Sequence, residues 1–371
     1  VIYDPTNSIL EPSAFFTGGR LPFATLAEWL VAPVRLALLE LAIELELPDI
    51  VAHTGTLPAI AAKIGISRQD KLAYILDAMT AAGLLQKENG SYRNATITDA
   101  YLRKDKPAYL GELVISLKAM QHRNIHRFKD CLFSEFSPVA TGDSLHDAEH
   151  WKRSAKGLAG YQKAGVADAM AGIAASLPGA ERFRSVLDLG CGPGITSLRI
   201  GQHLPRVHMV LCDFPHALQL AEQEADAAGL LGKVSFLPGD YNRLDWGAGH
   251  DLIWTCQSLY YAKDLPSFVE RIYAALNPGG FFVSIHEGIR RENTEPALMT
   301  LSRVSLALEG QDVSFVEGYI ADAAIQAGFS RIYKRNLPML FGDADLEVFQ
   351  KPLKTEGIQC RFCKLHYSVL Q

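Results

Sequence analysis

Residues 184–194, Arg-Ser-Val-Leu-Asp-Leu-Gly-Cys-Gly-Pro-Gly, constrain the possible folds of this chain more than any other stretch. An apolar run that reads as a short buried strand meets three alternating glycines, and residues 196–204 then read as a helix. A strand can turn into a helix this sharply only where the backbone reaches positive φ, which glycine does without a steric penalty. Gly190, Gly192 and Gly194 supply that freedom and let a ligand lie against the backbone. The following helix N-terminus offers unpaired N–H groups. A dinucleotide fingerprint would space its glycines G-x-G-x-x-G, but here Ile195 occupies the position of the third.

The residues around this turn extend the pattern. Asp188 precedes the first glycine by two positions, and Asp213 follows the apolar run 207–211 where a second strand would present a carboxylate to ribose hydroxyls. An isolated surface aspartate before a turn is the plainer alternative for Asp213. A third strand at 234–237 leads into Gly239-Asp240-Tyr241, and a fourth is expected at 251–255. Leu276-Asn277-Pro278-Gly279-Gly280 turns into a fifth at 281–285. Helices are expected at 216–228, 266–276 and 316–327, with Gly229 and Gly328 as stops, and late strands at 329–334 and 346–349. Strands alternating with helices imply an α/β fold: a right-handed, Rossmann-like doubly wound sheet, mostly parallel.

The N-terminal part reads differently. Residues 1–20 carry Pro5, Pro12 and Gly18-Gly19 and read as an irregular arm, while 21–47 is apolar at helical spacing, with Pro33 marking a helix start or kink. A helix with so little polar surface needs a cover, and a second subunit is the natural one. Helices at 57–64 and 71–82 and a hairpin over 84–98, turned at Asn89-Gly90, complete a winged-helix pattern. Two functions fit such a domain, DNA reading or subunit pairing. Arg68, Gln69 and Lys71 amid Ala-rich, apolar sequence make a poor phosphate and base reader. A net charge of −5 likewise argues against bulk affinity for nucleic acid or anionic membrane.

With 48% hydrophobic and 21% charged residues the composition is ordinary for a globular chain; no apolar run is long enough to span a bilayer, and the start lacks a signal-peptide layout, so a cytoplasmic protein is expected. Cys131, Cys191, Cys212 and Cys256 read as buried free thiols. Cys360-x-x-Cys363-x-x-His366 has zinc-like spacing but lacks a fourth ligand. A helix running from 107 through His122 and His126 to Phe128 would put both histidines on one face. No third ligand accompanies them, which leaves pocket lining or simple surface placement. No metal is expected.

Taken together, D-x-G-x-G-x-G, the later acidic strand ends and the winged-helix lead-in resemble the S-adenosylmethionine-dependent O-methyltransferases with an N-terminal dimerisation domain. The resemblance implies an arm and winged-helix dimerisation domain over 1–105, a helical bridge lining the acceptor pocket over 106–180 and a catalytic domain over 181–371. It implies S-adenosylmethionine as cofactor, S-adenosylhomocysteine as product, a homodimer, a small-molecule acceptor, and no nucleic-acid or membrane partner. Cofactor roles fall to Asp188, Gly190, Gly192, Gly194, Asp213, Phe214, Gly239, Asp240 and Tyr241, with Cys256 beside them; acceptor contacts fall to His122, His126, Trp151, Tyr161, Met299 and Arg303.

The catalytic carry-over departs from the family. The family's Leu-His-Asp-Trp segment reads Leu259-Tyr260-Tyr261-Ala262 here, so the usual histidine base is absent and Tyr260 stands in its place. A neutral phenol is a poor base at neutral pH. His286, Glu287 and Glu317, the last expected to open a helix, are the other candidates for moving a proton. Structural hydrogen bonding for His286 and a helix N-terminal charge for Glu317 are the competing readings. Oxygen is the default methyl acceptor. An activated aromatic or tetrapyrrole-like carbon is the rival target, and an inactive cofactor-responsive winged-helix regulator is the alternative of another class.

Overall fold

The computed structural model describes residues 23–133, 148–310, 313–340 and 342–353, with the backbone alone at 148–153. The chain divides into two compact units, Val1–Gly111 and Glu112–Gln371.

In the first unit, α1 (Ala24–Glu44), α2 (Leu47–His53), α3 (Leu57–Ile64) and α4 (Gln69–Ala81) precede the hairpin of β1 (Leu85–Glu88) and β2 (Ser91–Asn94). Asn89 and Gly90 turn that hairpin with φ of 48° and 78°, the two positive values a type I′ turn requires. The hairpin ends earlier than expected, because Thr96 opens α5 (Thr96–Tyr101). Ile60, Leu72, Leu76, Met79, Leu85 and Tyr92 form the core. The Tyr92 hydroxyl donates to Asp77 at 2.7 Å, and Lys87 donates to the same carboxylate. Arg68 pairs with Asp70 at 2.8 Å on the surface. Pro33 lies inside α1; that helix turns Leu38 and Ala42 into the core while Leu26, Trp29, Leu30 and Val34 remain exposed, Leu30 at 79%.

The second unit begins with α6 (Gly111–Gln121), α7 (Phe128–Phe133), α8 (Ala148–Tyr161) and α9 (Ala167–Ala175). The expected continuous helix from 107 to 128 does not form. α6 starts at Gly111 and stops at Gln121, and residues 125–127 make a separate 3₁₀ turn. The cause is tertiary: buried Asn124 donates through Nδ2 to Glu309 at 2.7 Å and to the Ser305 carbonyl at 3.3 Å, contacts that fix a non-helical backbone. A π turn at 162–166, where Gly165 sits at φ 108°, separates α8 from α9.

From here strands and helices alternate: β3 (Ser185–Leu189), α10 (Ile195–His203), β4 (His208–Asp213), α11 (Pro215–Ala227), β5 (Val234–Pro238), β6 (His250–Cys256), α12 (Leu265–Ala275) and β7 (Leu276–His286). The two-residue β8 (Gly288–Ile289), then α13 (Ala297–Ser302), α14 (Val304–Leu308), β9 (Phe315–Val316) and α15 (Tyr319–Gln326) lead to the hairpin of β10 (Ser330–Met339) and β11 (Gly342–Gln350). The seven-stranded sheet has the order β10-β11-β7-β6-β3-β4-β5. β7, β6, β3, β4 and β5 are parallel, whereas β11 runs antiparallel to both β7 and β10. β7 starts five residues earlier than expected, because Leu276 already pairs with His250.

Both faces of the sheet are covered, so alternate residues of a strand enter different cores. Val186, Leu252, Trp254, Phe281, Val283 and Ile285 pack with residues of α9, α10 and α11. Leu187, Leu189, Ile253, Phe282 and Phe349 pack with residues of α12 and α15. This alternation sends Asp188 toward the α10 side and Ser284 and His286 toward the α12 side. The carboxyl ends of β3, β4, β6 and β7 converge on the place where the strand order reverses, the usual position for a ligand in such sheets.

Candidate active site

The three glycines do two different jobs. All have positive φ, 82° at Gly190, 56° at Gly192 and 73° at Gly194. A side chain on Gly190 would stand 2.5 Å from the Ser258 Cβ, and one on Gly194 would stand 2.9 Å from both Ala221 and Leu211. These two permit close packing. A Cβ on Gly192 would meet nothing within 4 Å, so this position faces open space. The loop is pinned beneath by the Gly190 N–H, which donates to the Cys212 carbonyl at 2.8 Å.

Two carboxylates face this loop from β3 and β4. Asp213 accepts from the Gly192 N–H and the Phe214 N–H, both at 2.7 Å; burial raises its pKa and those two donors oppose the rise. Asp188, only 3% exposed, accepts from the Ser197 hydroxyl. Burial lifts its carboxyl to about 7, with the Asp213 charge acting in the same direction and Ser197 against it. A desolvated carboxylate of this kind complements a ligand cation, and Gly192 leaves backbone room beside it. Two buried carboxylates beside an open backbone turn fit S-adenosylmethionine, which carries a cationic amino-acid end and ribose hydroxyls.

Neighbouring elements shape the rest of the cradle. Gly239 (φ 141°) donates its N–H to the Asp213 carbonyl at 2.9 Å, and Asp240 accepts from the Asn242 backbone and side-chain nitrogens at 2.9 and 2.8 Å. Phe214 stacks on His216 with centroids 5.7 Å apart. Tyr241 turns its hydroxyl inward to the Ser258 carbonyl at 2.5 Å and packs its ring edge-on against Phe268, so it braces the loop from behind. Cys256 ends β6, and burial raises its thiol while the Asp188 and Glu287 charges add to the rise.

On the acceptor side, β6 runs into Gln257 (φ 53°), Ser258 and the 3₁₀ turn Leu259–Tyr261. Glu287, just past β7, is 2% exposed; its two carboxylate oxygens accept from the Tyr260 hydroxyl and the Gln257 amide, and its backbone N–H donates to the Tyr260 oxygen at 3.3 Å. Burial first, and then the Glu287 charge, push the Tyr260 phenol well above its ordinary value. Phe315 stacks on the Tyr260 ring at 5.1 Å, and His286 meets that ring edge-on at 5.2 Å. Phe315 arrives there because β9 pairs with β8 immediately after Glu287. Gln257, Ser284 and Phe315 carry no motif; only the fold brings them to the site.

Several expected residues are placed differently. His286 is not available as a base. Its Nε2 accepts the Ser258 and Leu259 N–H groups at 3.0 and 2.9 Å, Nδ1 lies 2.9 Å from the Ser284 hydroxyl, and burial lowers its pKa to about 3. Glu317 does not open a helix: it follows β9, Gly318 (φ 89°) caps α15, and the carboxylate is bound to Lys334 at 2.6 Å, which holds its pKa down. His122 and His126 do not share a helical face, since α6 ends before both; His126 is exposed. Tyr161 accepts the Leu340 N–H at 3.3 Å, and its phenol, pushed up to about 12 by burial, also feels the Cys256 and Glu287 charges. Met299 is buried, and Arg303 donates to the Ser314 hydroxyl at 2.6 Å. The Trp151 side chain and the Cys360, Cys363 and His366 cluster lie outside the described residues. Among those described, no group of three or more His, Cys, Asp or Glu side chains could hold a metal ion, and no helix is long and apolar enough to cross a membrane.

Comparison with known proteins agrees with this geometry. Residues 186–280 match a methyltransferase domain, and residues 32–104 match an O-methyltransferase dimerisation domain. The 3-hydroxy-5-methyl-1-naphthoate 3-O-methyltransferase of Streptomyces sahachiroi is 26% identical over 208 residues, which are 55% of this chain and span 59% of that protein's length. The N,N-dimethyltransferase OxyT of Streptomyces rimosus is 26% identical over 81% of this chain and 89% of its own. The fold is shared with human N-acetylserotonin methyltransferase, whose structure holds S-adenosylmethionine, at a TM-score of 0.73 and 17% identity over 89% of this chain and 97% of that one. The chain thus carries an O-methyltransferase dimerisation domain followed by a methyltransferase domain, the order shared with these S-adenosylmethionine-dependent methyltransferases.

Proposed function

We propose that the chain methylates a hydroxyl group of a small aromatic acceptor, with Tyr260 and Glu287 together removing the proton. The observation that carries this reading is the buried Glu287 carboxylate, gripped by Gln257 and by the hydroxyl of the half-buried Tyr260, at the strand ends beside the cofactor cradle. S-adenosylmethionine, when bound, supplies an electrophilic methyl group on a sulfonium. Asp188 then meets the cationic amino-acid end, Asp213 the ribose hydroxyls, and Gly192 leaves the backbone open to the ligand.

Proton removal divides between two residues. Free tyrosinate is costly here, because burial and the Glu287 charge both raise the phenol. As the acceptor O–H gives its proton to the Tyr260 oxygen, the Tyr260 proton passes along its existing hydrogen bond to Glu287. The acceptor oxygen keeps the electron pair that attacks the methyl carbon, and no charged tyrosine accumulates. A phenol suits this weak relay, being already acidic among alcohols, and the naphthoate acceptor of the Streptomyces sahachiroi relative belongs to that chemical class. Tyr161, His122, Met299 and Arg303 are the acceptor contacts in this reading. Residues 1–105 pair two copies through the exposed face of α1, and the chain works in the cytoplasm.

The test is incubation with methyl-labelled cofactor and a panel of hydroxynaphthoates and hydroxylated polycyclic aromatics. An O-methylated product is expected, with turnover reduced about 100-fold or more in Tyr260→Phe and Glu287→Gln and S-adenosylhomocysteine affinity kept within about twofold. A ring-carbon product, or unchanged turnover in both variants, would overturn the assignment.

A further inference from the structure

We propose that His286 is a positioning residue that holds the cofactor loop and the acceptor-side turn in register, acting through Ser258. The inference rests on the methyltransferase reading of the site.

Ser258 is tied in four directions. Its N–H donates to His286 Nε2 at 3.0 Å, its hydroxyl donates to the Leu189 carbonyl at 2.7 Å, and its own carbonyl accepts the Tyr241 hydroxyl. Its Cβ fills the space a Gly190 side chain would need. One residue therefore touches the end of β3, the glycine loop, the segment after β5 and the turn that carries Tyr260. What fixes Ser258 fixes all four.

His286 provides that fixation. The consecutive N–H groups of Ser258 and Leu259 converge on its Nε2, at 3.0 and 2.9 Å, in a site where neither can find water. Only an unprotonated nitrogen can accept both, so the ring proton resides on Nδ1 and donates to the Ser284 hydroxyl at 2.9 Å. The Tyr260 ring rests edge-on against the imidazole, so the same side chain also sets the height of the phenol above Glu287. An apolar replacement would leave two adjacent buried N–H groups without an acceptor. The turn would then rotate to satisfy them and take Ser258 away from Leu189 and Gly190.

The experiment compares His286→Leu with His286→Gln, whose amide oxygen can reach the same two N–H groups. Calorimetric titration with S-adenosylhomocysteine needs no acceptor, and circular dichroism monitors the fold. Wild-type binding, at least tenfold weaker binding in folded His286→Leu, and binding within about threefold of wild type in His286→Gln are expected. A residue serving stability alone would lower the melting temperature of His286→Leu and leave the affinity of its folded form intact, and that result overturns the proposal. If His286→Leu does not fold, Ser284→Ala, which removes only the acceptor for Nδ1–H, takes its place with an expected weakening of about threefold. Nitrogen-15 spectra of the wild-type imidazole supply a readout independent of the cofactor: Nδ1 protonated and Nε2 bare from pH 5 to 8 is expected, and a proton on Nε2 refutes the arrangement. Failure of the wild type to bind the product analogue, with that ring state intact, would count against the methyltransferase reading and leave the hydrogen-bond geometry standing.

Discussion

Acidification should loosen the cofactor well above the ordinary carboxylate range. Ligand-free Asp188 is lifted from 3.8 to about 7 by burial, but a cationic ligand requires the ionised form. Below about pH 7, binding must expel one proton, and affinity falls by up to tenfold per pH unit. From pH 8 to pH 5.5 that amounts to about 30-fold, or ~2 kcal/mol. Asp213, also raised, deepens the loss. The stability of the ligand-free protein follows the opposite trend. A carboxyl raised in the folded state holds more protons there than in the unfolded chain, so its contribution is fully present below 3.8 and is lost as pH rises through about 7. The melting temperature without ligand should therefore decline from pH 5 to 7, while the product-bound protein, in which Asp188 is ionised as it is in the unfolded chain, should hold its stability nearly constant over the same interval. Titration with S-adenosylhomocysteine at pH 5.5, 6.5 and 8, in two buffers of different ionisation heat, reads both the affinity and the proton released. Asp188→Asn should bind weakly and lose most of the slope. A wild-type affinity that stays flat across this interval, with no proton released, would refute the argument.

Other consequences follow from individual contacts. Gly190→Ala forces a Cβ to within 2.5 Å of Ser258 at φ 82° and should cost about 1–3 kcal/mol of stability, read as a lower melting temperature. Gly192→Ala, with open space around it, should cost only ~1 kcal/mol in stability yet abolish S-adenosylhomocysteine binding in calorimetry, because its methyl group occupies the cradle. Asp213→Ala frees two backbone N–H groups beneath the loop and should weaken the same ligand by about 100-fold or more. Replacing Trp29 and Leu30 by glutamate puts charge on the exposed stripe of α1 and should convert a dimer into monomers in sedimentation at micromolar concentration. Dimers that persist in the double variant would exclude that helix face as the interface.

The parts of this molecule legible in the sequence are those fixed by local backbone chemistry. Positive φ at Gly190, Gly192 and Gly194, the Asn89-Gly90 turn and the glycine stops of α3 and α15 are demands that few residues meet, so the residues announce them. The errors arise where distant contacts override local preference. Nothing between Gln121 and Phe128 breaks a helix by propensity; the break exists because Asn124 is bound to Glu309 and Ser305, more than 150 residues away. Glu317 looks like a helix-opening charge until β9 pairs with β8 and draws residues 315–316 into an extended strand.

His286 shows the same limit at the site itself. The residue type suggests a base, and the position after strand five suggests the acceptor, yet chemistry at a histidine depends on what already holds its lone pair. Here two backbone N–H groups hold it, and burial makes the charged ring unfavourable. Glu287, one residue further on, lies at the other side of the strand end, where its carboxylate accepts from the Tyr260 hydroxyl. The functional difference between these neighbours lies in which of them the turn at 258–261 consumes. In the proposed mechanism that turn both occupies the lone pair of one candidate base and directs the Tyr260 hydroxyl to the other.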